Sequence, residues 1–267
     1  MRIVSLCPSL TELVYDLGRG DDLVGITKFC IHPADRVASV EKVGGTKDPK
    51  VDRIIELAPD VVLFNEEENR RADYDALEAG GVHCLNTFPK DSLETAAMVR
   101  VIGDALERTE CAEPIAKDIE ARTARVRAAA QGARPVTWAY LIWREPWMTV
   151  NRDTFAHALL EQAGGVNVFA DRETRYDTIT LKDLAAADPE LVLLCTEPFP
   201  FKDSHADELA ELTGLPRERF VIADGEYLSW HGSAADGDDQ RQTLAARARE
   251  LVAQHEATLG LALGHAQ

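Results

Sequence analysis

No stretch of the 267 residues approaches the roughly 20 consecutive apolar positions that a membrane-spanning helix requires. The 45% hydrophobic content is therefore available for an interior, enough for one large core or two modest ones. Positive charge is scarce: 29 Lys and Arg stand against 46 Asp and Glu, a formal net charge of −17. That balance opposes nucleic acid or an anionic membrane surface as a partner, and suits a basic protein partner or a salty medium. The cysteines are few and odd in number (Cys7, Cys30, Cys84, Cys111, Cys195), with no CxxC pair. Neither a disulfide framework nor a structural zinc site follows from them. Catalytic signatures are missing too: there is no GxSxG, no P-loop and no GxGxxG behind a strand. The amino terminus, MRIVSLCPSL, lacks the apolar core and small-residue cleavage site of a leader. If Met1 is the natural start, the expected compartment is the cytoplasm; if a leader preceded it and was removed, it is the periplasm or another extracytoplasmic space.

What the chain does contain is alternation. RIVSL leads into SLTELVYDLG, where Leu10, Leu13, Val14 and Leu17 recur at i, i+3, i+4 and i+7, one face of a helix. Ser9 and Glu12 have capping-box spacing, which predicts Ser9 as the cap, and Gly18 marks the end. LVGIT, DVVLF and VHCLNTF read as strands and VDRIIELA as a short helix. In the second half TWAYLIW precedes DTFAHALLEQAGG, again a helix closed by glycine. LKDLAAADPELVLLCTE then matches VDRIIELAPDVVLFNEEE in register: Ile54 with Leu184, Pro59 with Pro189, Asp60 with Glu190, Leu63 with Leu193, Glu67 with Glu197. The offset is a constant 130 residues. Alternation of this kind argues for parallel sheets with helices on both faces, and its repetition for two related lobes.

Between the lobes lies a stretch of strong helix formers with little strand pattern. Pro114 is expected to start a helix that runs to about Ala130, a rod of about 25 Å. The expected fold class is thus α/β, two Rossmann-like lobes with parallel sheets joined by one long backbone helix. The boundaries are 1–90 for the N-terminal lobe, 91–133 for the helical linker and 134–267 for the C-terminal lobe.

In such sheets ligands bind beyond the carboxyl ends of strands. The first lobe offers Pro8, Phe29, His32 and Gly45 there, the glycine permitting close backbone approach. The second offers Trp143, Arg144, Glu145 and Trp147 at what reads as a strand-to-helix junction, then Tyr176, Phe199 and Phe201, then Tyr227, Trp230 and His231. For a chain with 6% aromatic residues this is a concentration of rings. It predicts an apolar slot for a flat ligand, Arg144 and Glu145 meeting polar substituents. His32 and His231 are either solvent-facing loop residues or approach a metal carried by that ligand. A bare-ion site would need three or four converging ligands, and none is evident. Cys7, at a helix amino terminus, is read as a structural thiol, since no histidine and acid partner it; no catalytic residue is assigned. Glu66, Glu67 and Glu68, with Glu197 at the matching place, are either a solvated loop or a docking knob.

The segments RIVSLCPSLTELVYDLG, VGGTKDPKVDRIIELAPDVVL and TVNRDTFAHALLEQAGGVNVF resemble the helical-backbone metal receptors, the class III periplasmic substrate-binding proteins. The resemblance runs from Arg2 to about Val252, and the segments are similar to the cobalamin-binding branch. It implies a binding protein, not an enzyme, which captures a metal-containing macrocycle or chelate, cobalamin or another corrinoid, in an inter-lobe cleft for an ABC importer. It implies no covalently bound cofactor, a monomer, no membrane insertion and an ABC permease as partner, for which Glu67 and Glu197 are the candidate docking residues. By the same resemblance Phe29 and His32 fall on cleft positions. Thr46 stands where the branch has a tryptophan, Tyr176 where it has another, and Arg71 where it has a docking acid. A ferric-siderophore or haem binding protein is one alternative. A cytoplasmic cofactor-handling protein or enzyme that recruited the fold, using Cys7 or the histidines, is the other.

Overall fold

Short apolar strands separated by amphipathic helices fold, in a computed structural model that describes residues 1–223 and Gly225, into two α/β units. Met1–Pro89 with Leu93–Ile119 form one; Lys90–Ser92 and the described chain from Glu120 form the other.

The first unit contains β1 (Ile3–Ser5), α1 (Pro8–Asp16), β2 (Leu23–Ile26), α2 (Ala34–Val37), α3 (Val51–Glu56), β3 (Val61–Asn65), α4 (Arg71–Ala79) and β4 (Cys84–Thr87). α5 (Ser92–Ala105) follows, and α6 (Thr109–Ala130) begins here and ends in the second unit. The sheet order is β2-β1-β3-β4, parallel at every pairing. Side chains alternate across a strand. Ile3 and Leu63 therefore enter one core with Leu10, Leu13, Val99 and Ile102, while Val4, Val62 and Phe64 enter the opposite one with Ile54 and Leu77. Strands buried on both faces explain why these segments read as unbroken apolar runs.

Two local expectations are corrected. Cys7, not Ser9, is the N-cap of α1 and makes no side-chain cap bond, and Pro8 takes the first helical position. The Ser9 hydroxyl lies instead 3.2 Å from the Cys7 thiol. α6 begins at Thr109, so Pro114 lies inside it; Ala112 N–H already bonds Arg108 C=O, closing the first turn ahead of the proline. Gly18 does end α1, at φ +72°, with Arg19 N–H bonding Val14 C=O and Gly18 N–H bonding Tyr15 C=O.

The second unit contains β5 (Val136–Trp143), β6 (Met148–Val150), α7 (Phe155–Gln162), β7 (Gly165–Asn167), β8 (Tyr176–Thr178), α8 (Leu181–Ala187), β9 (Leu191–Cys195), α9 (Asp203–Thr213) and β10 (Phe220–Ala223). Its sheet runs β10-β9-β5-β6-β8, with β7 also paired to β5. β5, β7, β9 and β10 pair in parallel. β6 and β8 form an antiparallel extension that the sequence reading did not contain. The Trp143–Trp147 stretch is therefore a hairpin turn, with Glu145 at φ +61°, and not a strand-to-helix junction.

The 130-residue repeat has a structural cause. Ala58 and Asp188 each sit at φ 44° where α3 and α8 end, and each is followed by proline and an acid. Arg2 N–H donates to Asp60 Oδ2 at 2.6 Å while Asp60 N–H donates to Arg2 C=O at 2.8 Å. In the other unit Thr137 N–H donates to Glu190 Oε2 at 3.0 Å and Glu190 N–H to Thr137 C=O at 3.0 Å. In each lobe the acid ties the strand it precedes to the start of its neighbour, fixing register.

Candidate functional site

At the carboxyl ends of the first sheet the organising residue is Asn69, which is 6% exposed. Its amide nitrogen donates to Leu6 C=O at 2.8 Å and Thr46 C=O at 3.0 Å, and its Oδ1 accepts from Asn65 N–H at 2.8 Å. One side chain thus holds the ends of β1 and β3 and the Gly44–Lys47 turn together. The Lys47 ammonium then reaches Glu67 C=O at 2.7 Å. A Cβ on Gly45 would lie 2.1 Å from Asp48 Oδ1, the end of an exposed side chain that can turn away, and 3.2 Å from the Phe29 ring. That places Phe29, 51% exposed, beside the Gly45 turn, with the Lys28 ammonium 5.1 Å from its centroid. Thr46 is buried and Pro8 and His32 are half-buried.

Beneath these loops lies a knot of small polar groups. Thr11 Oγ1 donates to Ser5 Oγ at 2.8 Å and lies 3.1 Å from Cys30 Sγ, which Thr27 Oγ1 also approaches to 3.1 Å. Burial pushes the Cys7 thiol up to about 12, and the nearby Glu68 carboxylate adds to the shift. A thiol so held is neutral at pH 7 and a poor nucleophile.

In the second unit the carboxyl end of β5, the β6–β8 extension, the start of α7 and the loop after β9 enclose a cavity of about 270 Å³. Its walls are Tyr140, Ile142, Trp143, Met148, Val150, Thr154, Phe155, Ala156, Tyr176 and Pro198. Few of these carry a polar group. The Tyr140 hydroxyl donates to Cys195 Sγ at 2.8 Å. Thr154 Oγ1 donates to Asn151 C=O at 2.9 Å and, as N-cap of α7, accepts from His157 N–H at 3.3 Å. His157 itself is buried, which lowers its pKa.

Trp143 and Tyr176 thus come together on one cavity; Arg144, Trp147 and Phe199 are absent from its walls. The Trp147 ring stacks on Phe201, 6.2 Å apart at 15°, beneath the Arg144 guanidinium at 5.7 Å. Arg144 is bonded to Glu208 on α9 at 2.7 Å. Phe199 meets Phe201 at 4.7 Å and the edge of Trp143 at 5.8 Å. Phe199 thus backs Trp143 directly, while Trp147 and Arg144 pack on the Phe201 side of the same cluster. Tyr227, Trp230 and His231 lie outside the described residues. Asn69, Met148 and Phe155 were not singled out by sequence reasoning; Phe155 was visible only as part of the DTFAHALL helix start. No group of three or more His, Cys, Asp or Glu side chains able to hold a metal ion occurs among the described residues.

Glu67 and Glu197 occupy equivalent turns. Asn65 Oδ1 accepts from Glu67 N–H at 3.0 Å, and Cys195 Sγ, 130 residues on, from Glu197 N–H at 3.5 Å. Each acid is presented two residues beyond the end of a central strand.

A family model described as periplasmic binding protein matches residues 3–212. A vitamin B12-binding protein of Vibrio cholerae serotype O1 (strain ATCC 39541 / Classical Ogawa 395 / O395) is 24% identical over 230 residues, 85% of this chain and 82% of its own. The crystal structure of a periplasmic vitamin B12 binding protein of Vibrio cholerae superposes with a TM-score of 0.79 at 20% identity, covering 98% of this chain and 97% of that one. A periplasmic heme-binding protein from Roseiflexus sp. RS-1, in apo form, gives a TM-score of 0.79 at 23% identity, covering 98% of both chains.

Proposed function

Since the chain belongs to the periplasmic binding protein family, we propose that it captures a flat metal-containing macrocycle, a corrinoid, for an ABC importer and releases it unchanged. One observation carries the reading. Trp143 and Tyr176 line a single largely apolar cavity beside the carboxyl end of β5 and the antiparallel β6–β8 extension, where a planar ligand gains both aromatic contact and burial. Phe29 and the Gly45 turn at the corresponding end of the other sheet support it, as do the B12-binding relatives. The neutral Cys7 thiol speaks against the enzymatic alternative. Glu67 and Glu197 are assigned to permease docking, and the working compartment to the outside of the cytoplasm; fractionation of cells expressing the complete reading frame tests the latter.

Haem is the second reading, favoured by the apolar walls of the cavity and by the heme-binding structural neighbour. Titration of the purified protein with cobalamin, haem and ferric siderophores, followed by tryptophan quenching and visible spectra, separates the readings. The expected result is saturable quenching by a corrinoid in the micromolar range or tighter. Binding no tighter than about 100 µM to any of the three, about −5.5 kcal/mol, defeats the proposal.

A further inference from the structure

The tip of the Gly44–Lys47 turn grips the Glu67 turn through two bonds one residue apart. Thr46 C=O accepts from the Asn69 amide at 3.0 Å, and the Lys47 ammonium donates to Glu67 C=O at 2.7 Å. The two bonds differ in permanence. Thr46 and Asn69 are buried, so little water competes for theirs. Lys47 is exposed, and holding its long stem in one geometry costs rotamer entropy that offsets much of what its bond contributes. A bond so balanced shifts readily with the stiffness of the turn that carries it. The base of that turn is fixed: Lys28 N–H donates to Gly44 C=O at 2.8 Å and Lys50 N–H to Val43 C=O at 2.7 Å. Across the tip the fastening is looser, Gly45 N–H reaching Asp48 C=O at 3.4 Å. On the other side, Glu67 N–H donates to Asn65 Oδ1 at 3.0 Å, and Glu68 and Asn69 N–H donate to Asn65 C=O at 3.1 and 2.8 Å. Those bonds make residues 65–69 one small cooperative unit, which Lys47 holds from outside.

We infer that Lys47 is a positioning residue for Glu67, fastening the Glu67 turn more firmly when a ligand rests on the Gly45 turn. A ligand on Phe29 meets that turn as well, since a Cβ on Gly45 would stand 3.2 Å from the Phe29 ring. Contact at the tip restricts the motions that carry Lys47 away from Glu67 C=O, so less ordering remains for the bond itself to impose. The loaded protein then presents the Glu67 carboxylate from an ordered turn and the empty protein from a looser one. A partner that grips this carboxylate has less to immobilise in the loaded form. The inference rests on the corrinoid reading and on the docking role assigned to Glu67 above, and it names the residue that makes one answer to the other.

The test is hydrogen–deuterium exchange of the full chain, without and with saturating cobalamin, read at the amides of residues 65–69 against α4 as internal reference. Exchange of bonded amides reports local opening. Cobalamin is expected to slow exchange at 65–69 by at least about fivefold relative to α4 in the unaltered protein. In Lys47→Met, which keeps the stem and removes the charge at an exposed position, the slowing is expected to be at most about twofold. A smaller effect in an unaltered protein that binds cobalamin overturns the inference and leaves the corrinoid reading standing. A larger one in Lys47→Met also overturns it, since the turn would then be held through Asn69. A titration that shows no cobalamin binding removes the parent reading and this inference with it. The comparison on the unaltered protein holds whether or not the variant folds.

Discussion

Trp143 is 39% exposed, backed by Phe199 and lining the cavity, so its ring contributes more to a ligand than to the fold. Trp143→Ala is expected to weaken corrinoid binding about tenfold, near 1.4 kcal/mol, with little change in melting temperature; calorimetric titration checks both. The thiols divide by exposure. Cys7, Cys30, Cys84 and Cys195 are buried and Cys111 is exposed, and burial raises Cys7 and Cys84 to about 12. A colorimetric thiol reagent at about pH 8 should therefore titrate one group per native chain and all five after unfolding. A second fast-reacting thiol would contradict the neutral, enclosed Cys7. His157 sets a pH dependence. Burial lowers its pKa below the ordinary 6.5, so the folded state binds fewer protons than the unfolded one. Its contribution to stability is whole above about pH 6.5 and is lost as pH falls towards the lowered value. His157→Gln should flatten the fall in melting temperature between about pH 7.5 and about pH 5.5, measured by scanning calorimetry.

At the scale of elements the paired acids are the sharpest case. Asp60→Ala and Glu190→Ala each remove a bond to the first residues of a neighbouring strand, and each should lower the melting temperature by about 2–4 °C. The two share no partner, so the double variant should lose nearly the sum. These acids were legible in the sequence because the repeat aligns them; what they do was not, since both bonds span more than 50 residues. β1, β2, β3, β5 and β9 were legible for a different reason, each being a short, largely apolar run near helical periodicity; the parallel strands β7 and β10, three and four residues long, were not read. The β6–β8 extension was not: both strands are three residues long, too short to show alternation, and Arg144, Glu145 and Pro146 interrupt the apolar run ahead of them. That missed hairpin is why the protein partners of Trp147 and Arg144 were not legible. The turn sends Trp147 onto Phe201 and Arg144 onto Glu208, while Met148, just beyond it, becomes a wall.

For the whole molecule, Glu67 and Glu197 stand at matching places in the two lobes, each two residues beyond a central strand. If both dock on a permease, Glu67→Lys and Glu197→Lys should each abolish import of labelled corrinoid by cells carrying the transporter, with corrinoid affinity of the isolated protein unchanged. Loss of affinity would assign them to the ligand instead. No helix among the described residues is long and apolar enough to cross a membrane. The engaged hydroxyls of Tyr140 and Thr154 have a last consequence. Water in that hollow has few anchors, so it drains cheaply when a ring arrives. Heat evolution should then grow steadily as the titration is warmed, the negative heat-capacity signature of dewetting, and added salt should scarcely alter it.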